Sequence, residues 1–179
     1  MRKIKQLTGQ SISAETFLCK ALWLKENDPQ LWAKTQVLCE YQDYLNHWLT
    51  GEWCFSANTA CNWGYNNRKK AFDLDFLRAV GLEDLPDKIP ARAVCAGAPI
   101  APLCAGAAAA LGLPPGIPVV QGGIDSSIGM LGMGTVRPGD LSLMTGSSNL
   151  AMAVTEQPLF TPPEAVNSGP DFLRPGYYT

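Results

Sequence analysis

"VVQGGIDSSIGMLGMG", residues 119–134, sets one acid, Asp125, between a glycine pair and a run of small residues. Just before the glycines, "IPVVQ" is a short apolar run rich in β-branched side chains, which predicts a buried strand. Beyond the acid, "SSIGMLG" predicts the start of a helix, which would bring the carboxylate near a positive helix end. A strand that runs through a bare turn into a helix belongs to an α/β architecture, in which the carboxyl ends of strands open into the ligand crevice. Gly122 and Gly123 remove side chains where a substrate or another backbone comes close. These residues leave two readings of Asp125 open, a cap on the following helix or a catalytic carboxylate at the mouth of a cleft.

A second element lies about twenty residues on. In "GDLSLMTGSSNLAMAV" two short apolar strands flank Thr145, Gly146, Ser147 and Ser148. A glycine followed by hydroxyl residues can cradle phosphate oxygens with backbone N–H groups, although no Walker pattern is present. The same residues also suit a plain hairpin turn. Paired with Asp125, they supply the parts of phosphoryl transfer, where the protein positions groups and handles charge.

Composition narrows the class. The chain has 179 residues, 46% hydrophobic, with a formal net charge of -2. It is long enough to bury a real core and is not of disordered composition. It lacks the basic balance of a nucleic-acid binder. No secretory signal or transmembrane run is read, since "MRKIKQLTGQ" turns polar and the apolar "CAGAAAALGL" is short and Gly-broken. Six dispersed cysteines without a C-x-x-C pair predict reduced core thiols in a cytoplasmic protein, and the lone histidine, His47, leaves few zinc ligands.

The first part reads as helical and aromatic. A helix is predicted in "SAETFLCKALWLKENDP" with Ser13 as its cap, and Asp28 is expected to cap a second one opening at Pro29. A third, "EYQDYLNHWLTG", carries Tyr41, Tyr44, Leu45, Trp48 and Leu49, which are assigned to the core, and stops at Gly51. Asp43 is taken as a solvated helical acid, Trp23 as core and Lys20 as solvated; His47 is read as a core or surface residue. "EWCFSANTACNWGYNNRKKAFD" is read as a strand with an irregular loop, and "LDFLRAVG" as a short helix ended by Gly81. From Pro90 onward proline and glycine become dense, with an Ala-rich helix ahead of "LGLPPG". This shift predicts a boundary near residue 116.

At these residues a family resemblance emerges. "KALWLKENDPQLWAK", "EYQDYLNHWLTGEW", "GIPVVQGGIDSSIGMLGMGTVRPGDLSLMTGSSNLAMA" and "GPDFLRPGYY" resemble successive segments of FGGY-family carbohydrate kinases, closest to the branch acting on ribulose and ribitol-like substrates. The resemblance covers nearly the whole chain. It implies a partial α/β, actin-like ATPase (ribonuclease H-like) fold. Residues 1–115 would form the end of the sugar-binding domain and 116–179 the start of the nucleotide-binding domain. It implies that Asp125 is the base that takes a proton from the attacking sugar hydroxyl, with Gly123 beside the substrate. Thr145, Gly146, Ser147 and Ser148 would bind ATP phosphates, Ser147 standing where the family more often has threonine. Mg2+ would bridge those phosphates, with no metal ligand assigned in this chain.

The implied partners are a small sugar or polyol and ATP, without nucleic acid or membrane; a homodimer is allowed. "MRKIKQLTGQ" does not match the family's opening Asp-x-Gly-Thr strand-turn, and its adenosine-binding Gly-rich segment would lie beyond Thr179. The chain is therefore expected to be an internal fragment with weak or no kinase activity alone. The competing expectation is a non-catalytic remnant or interaction module.

Overall fold

A computed structural model describes residues 14–66, 69–146, 149–157, 159 and 179. Helix α1 (Phe17–Asn27) buries Phe17, Leu18, Cys19, Ala21 and Leu22 and is preceded by Thr16 in an extended cap conformation. Ser13, the expected cap, lies outside the described residues. Asp28 caps α2 (Pro29–Lys34) as expected, its carboxylate accepting from Leu31 N at 2.9 Å. Helix α3 (Tyr41–Thr50) ends at Gly51, whose φ of 81° is a left-handed cap that favours glycine.

The stretch expected as one strand and a loop holds more. Strand β1 (Phe55–Ser56) leads directly into the short helix α4 (Ala57–Ala60) and a 3-10 turn (Cys61–Trp63). Strands β2 (Tyr65–Asn66) and β3 (Ala71–Phe72) then pair antiparallel. Helix α5 (Leu74–Val80) ends at Gly81, as the sequence predicts, and is capped by Asp73. Strand β4 (Ala93–Val94) returns parallel to β1, and a parallel pair requires the crossover that α4 and α5 supply.

Strand β5 (Pro99–Pro102) is followed by the Ala-rich α6 (Ala105–Leu111) and by β6 (Pro118–Val120). Strand β6 pairs antiparallel back onto β5. The segments on either side of residue 116 are thus hydrogen-bonded to each other. Helix α7 (Asp125–Gly132) and the hairpin of β7 (Leu141–Thr145) and β8 (Asn149–Ala153) complete the described chain. Among the described residues the strands form four two-stranded sheets.

The main core joins α1 and α2 to β1, the 3-10 turn and α5, around Phe17, Trp32, Phe55, Trp63, Leu77 and Leu85. Phe17 stacks on Trp63 with centroids 4.3 Å apart, and Tyr65 meets Phe55 edge-on at 5.1 Å.

Several sequence-based assignments need correction. On α3 the aromatic side faces outward, Tyr41 being 78% and Tyr44 54% exposed, whereas Asp43 and Asn46 are buried. The polar side turns inward because its side chains find hydrogen-bond partners there, as described below; a buried polar group so paired avoids the desolvation penalty. Trp23, assigned to the core, is exposed. The core stripe of α1 runs through Leu18, Ala21 and Leu22, which leaves Trp23 on the far side. Strand β6 is not buried, for it has β5 on one side and Val120 lies in solvent. Lys20 is exposed, as expected. His47 is half-buried and stacked on Trp53 at 3.9 Å. No disulfide joins the six cysteines, but only Cys19 and Cys54 are buried in the core; Cys39, Cys61 and Cys104 are half-buried and Cys95 is exposed. Among the described residues no helix is long and apolar enough to cross a membrane.

Candidate active site around Asp125

Helix α7 starts at Asp125, where the sequence predicts a helix start. The cap position itself belongs to Ile124, in extended conformation, so Asp125 is the first helical residue and not the N-cap. Its Oδ1 accepts from Ser126 N at 2.7 Å, which places negative charge on the unpaired N–H groups of the helix start. The side chain is exposed, and among the described residues Oδ2 has no partner. A carboxylate anchored by one oxygen with the other open to solvent can accept a proton from a bound hydroxyl.

The turn before Asp125 is held from inside by α3 and α4. Gln121 is buried, and its Oε1 accepts from Asn46 Nδ2 at 3.0 Å, while its Nε2 donates to Gly122 O at 3.2 Å. Ile124 N donates to Oδ1 of the buried Asn58 at 2.7 Å. The glycines serve this packing. A Cβ on Gly122 would lie 2.9 Å from Gln42 Nε2, and one on Gly123 would lie 2.9 Å from Asn58 Oδ1 and 3.0 Å from Ile128 Cδ1. The space freed at Gly123 is therefore filled by protein. Any contact of Gly123 with substrate is left to its backbone.

Asp43 supports the same layer. Its Oδ1 accepts from Ser56 N at 2.9 Å and its Oδ2 from Glu40 N at 3.2 Å, joining α3 to the start of α4. Burial pushes its carboxyl up to about 6, outweighing the two backbone N–H groups that favour the charged form. Burial likewise raises Glu40, with Lys20 opposing.

Helix α7 also meets the hairpin. A Cβ on Gly129, one turn beyond Asp125, would stand 3.7 Å from Met144 Sδ, so the helix lies close against β7. Met144 immediately precedes Thr145 and Gly146, which are exposed at the end of β7, and Thr145 pairs with Asn149 across the turn. Ser147 and Ser148 lie outside the described residues. The structure thus places Gly129, one turn beyond Asp125, beside the side chain of Met144, the residue before Thr145 and Gly146. Thr145 and Gly146 are exposed, and a glycine beside a hydroxyl residue has the chemistry to receive an anion. For magnesium the described residues do not form a protein cage, since they contain no group of three or more His, Cys, Asp or Glu that could hold an ion.

The pattern of the FGGY family of carbohydrate kinases, N-terminal domain, matches residues 1–132. The chain belongs to this family. This FGGY chain is 34% identical over 180 residues to an FGGY carbohydrate kinase domain-containing protein of Xenopus laevis, a match covering 89% of the chain and 32% of that protein. It is 33% identical over 134 residues to L-fuculokinase of Escherichia coli K12, covering 74% of the chain and 28% of the enzyme. Its fold superimposes on xylulose kinase of Rhodospirillum rubrum with a TM-score of 0.77 at 25% identity, over 96% of the chain and 34% of that structure. The described elements are thus part of an α/β, actin-like ATPase fold. The FGGY chain spans about a third of the length of the relatives it matches.

Sequence reasoning missed Gln42, Asp43, Asn46 and Asn58. Positions 42, 43 and 46 form a polar stripe at helical spacing on α3, and that stripe was the available signal. Asn58 carries no such signal, because it is two residues beyond a strand of only two residues.

Proposed function

We propose that this chain contributes to the ATP-dependent phosphorylation of a hydroxyl on a small sugar or polyol, as part of a cytoplasmic FGGY phosphotransferase. The observation that carries the proposal is the exposed Asp125 carboxylate at the start of α7, with Gly129 of the same helix against Met144 beside the Thr145–Gly146 hairpin end. In this reading Asp125 Oδ2 takes the proton of the acceptor hydroxyl as its oxygen forms a bond to the γ-phosphorus. The bond from that phosphorus to the bridging oxygen breaks and ADP leaves. Thr145, Gly146, Ser147 and Ser148 hold the nucleotide phosphates, and the Gly123 backbone borders the acceptor. ATP would supply the phosphoryl group and Mg2+ bound with it would offset the charge of its phosphates; among the described residues no group of three or more His, Cys, Asp or Glu could hold the ion by itself.

Within that class, the acceptor is proposed to be a ketopentose or pentitol such as ribulose or ribitol. The kinship with proteins named L-fuculokinase and xylulose kinase supports a small sugar acceptor and makes L-fuculose and xylulose the competing choices. We also propose that the chain joins the end of a sugar-binding domain to the start of a nucleotide-binding one. The β5–β6 pairing and the family match through residue 132 favour a junction beyond 116, near the start of the segment before β7. The test is transfer of labelled phosphate from ATP to ribulose, ribitol, xylulose and L-fuculose by the polypeptide carrying this chain. Phosphorylation of the first two in preference to the others supports the finer reading. Phosphorylation of none favours a non-catalytic remnant.

A further inference from the structure

Asn58 is fully buried, at 0% exposure, in the short helix that follows β1. Its Oδ1 accepts from Ile124 N at 2.7 Å across 66 positions of sequence. The orientation of the amide is fixed, because Ile124 N is a donor and only the oxygen can face it. Asn58 Nδ2 then lies buried with no partner among the described residues. The oxygen is the acceptor for Ile124 N, and losing it would leave that part-buried N–H without its partner. Ile124 is the cap residue of α7. Fixing its amide fixes the entry of the chain into the helix, and so the place of the next residue, Asp125. Gly123 completes the arrangement, since any Cβ there would stand 2.9 Å from Asn58 Oδ1 and 3.2 Å from its Cγ.

We propose that Asn58 is a positioning residue, which holds the Gly123–Ile124–Asp125 turn from inside the fold and thereby sets where the Asp125 carboxylate stands. Its consequence for catalysis rests on the reading of Asp125 as the base; the hold itself rests on geometry alone.

Amide exchange and NMR of the polypeptide that carries this chain test it without requiring activity. In Asn58→Ala the Ile124 amide should exchange at least about tenfold faster. The Ser126 amide proton, bonded to Asp125 Oδ1, should move upfield, while the amides of Leu77 and Val80 in the core change less than about twofold. Asn58→Asp, which keeps the acceptor oxygen, should restore Ile124 protection. Ile124 and Ser126 unaltered in Asn58→Ala overturns the proposal, as does acceleration of Ile124 and Val80 by the same factor, the mark of a merely structural role. Should Asn58→Ala not fold, Gly123→Ala presses on Asn58 from the other side. It should perturb Ile124 and Ser126, together with Ile128 by direct contact, while Leu77 and Val80 stay as they are, and indifference of Ile124 and Ser126 equally overturns the proposal. Failure of the catalytic reading shows separately, as phosphoryl transfer that survives Asp125→Asn while Ile124 remains protected.

Discussion

Asn46 Nδ2 on α3 donates to Gln121 Oε1 at 3.0 Å, a buried bond between residues 75 positions apart. It ties the inner side of α3 to the chain as that leaves β6 for the turn before Asp125. Removing either partner leaves the other's bonding atom, Gln121 Oε1 or Asn46 Nδ2, without this partner in the interior, at a cost of about 1–3 kcal/mol. Asn46→Ala and Gln121→Ala should therefore each lower stability in urea unfolding by about that amount. The double variant should lose less than the sum, with a coupling of about 1 kcal/mol. Strict additivity would mean that the two side chains do not act as a pair.

Asp43 should give the chain an unusual pH dependence. Its folded carboxyl is raised from 3.8 to about 6, chiefly by burial. A group raised on folding binds its proton more tightly in the native state, so its contribution is full below the unfolded value and is lost as pH climbs through about 6. Wild-type stability should thus fall relative to that of Asp43→Asn between about pH 4 and 7, by roughly 2–3 kcal/mol. Asp43→Asn also loses one backbone acceptor, which offsets its curve at all pH values but does not tilt it. Urea midpoints at pH 4.5 and 7.5 check this, and parallel profiles for the two proteins would refute it.

Trp32 depends on a carboxylate for its indole N–H. Trp32 Nε1 donates to Asp84 Oδ2 at 2.7 Å, and Asp84 Oδ1 receives Lys25 Nζ at 2.7 Å. Lys25 and Lys88 also lie near the indole ring, 5.8 and 5.2 Å from its centroid. Asp84→Ala should cost about 1–2 kcal/mol, mostly through the orphaned N–H of the buried Trp32, because the ion pair with Lys25 is partly exposed and screened. Lys25→Met, which keeps the stem, should cost less. Thermal unfolding of both variants measures the difference, and a larger loss for Lys25→Met would reverse the assignment.

Much of the local structure could be read from residues with a single physical job. Asp28 with Pro29, Gly51 and Gly81 delimit helices through capping and left-handed geometry, and the structure places them so. The start of α7 was legible from the residues that follow Asp125, although the cap is Ile124 and not Asp125. The facing of α3 was not. Periodicity marks two faces of a helix, and hydropathy assigned the aromatic one to the core. The actual choice was made by distant partners, Ser56 and Gln121, that only the folded chain brings to Asp43 and Asn46. The site shows the same limit. Asp125 and the Thr145–Gly146 turn stood out as a carboxylate and a glycine-hydroxyl turn after strands, whereas Asn58, which occupies the space beside Gly123, has no local pattern, and Gln42 beside Gly122 is marked only by the polar stripe of α3. The glycine pair was read as a place where substrate or another backbone comes close; the neighbours found there are side chains, the half-buried Gln42 and the buried Asn58 and, beside Gly123, Ile128.

The central claim is that Asp125 is the base for phosphoryl transfer, and the most direct measurement compares Asp125→Asn with wild type in the polypeptide that carries this chain. Turnover with ATP and the preferred sugar or polyol is followed alongside the sugar dissociation constant. The account predicts a fall in kcat of about 10²–10⁴-fold with sugar affinity within about threefold of wild type, as expected for loss of a group that acts on the proton alone. Turnover within a few-fold of wild type, or a parallel loss of turnover and sugar binding, would contradict it.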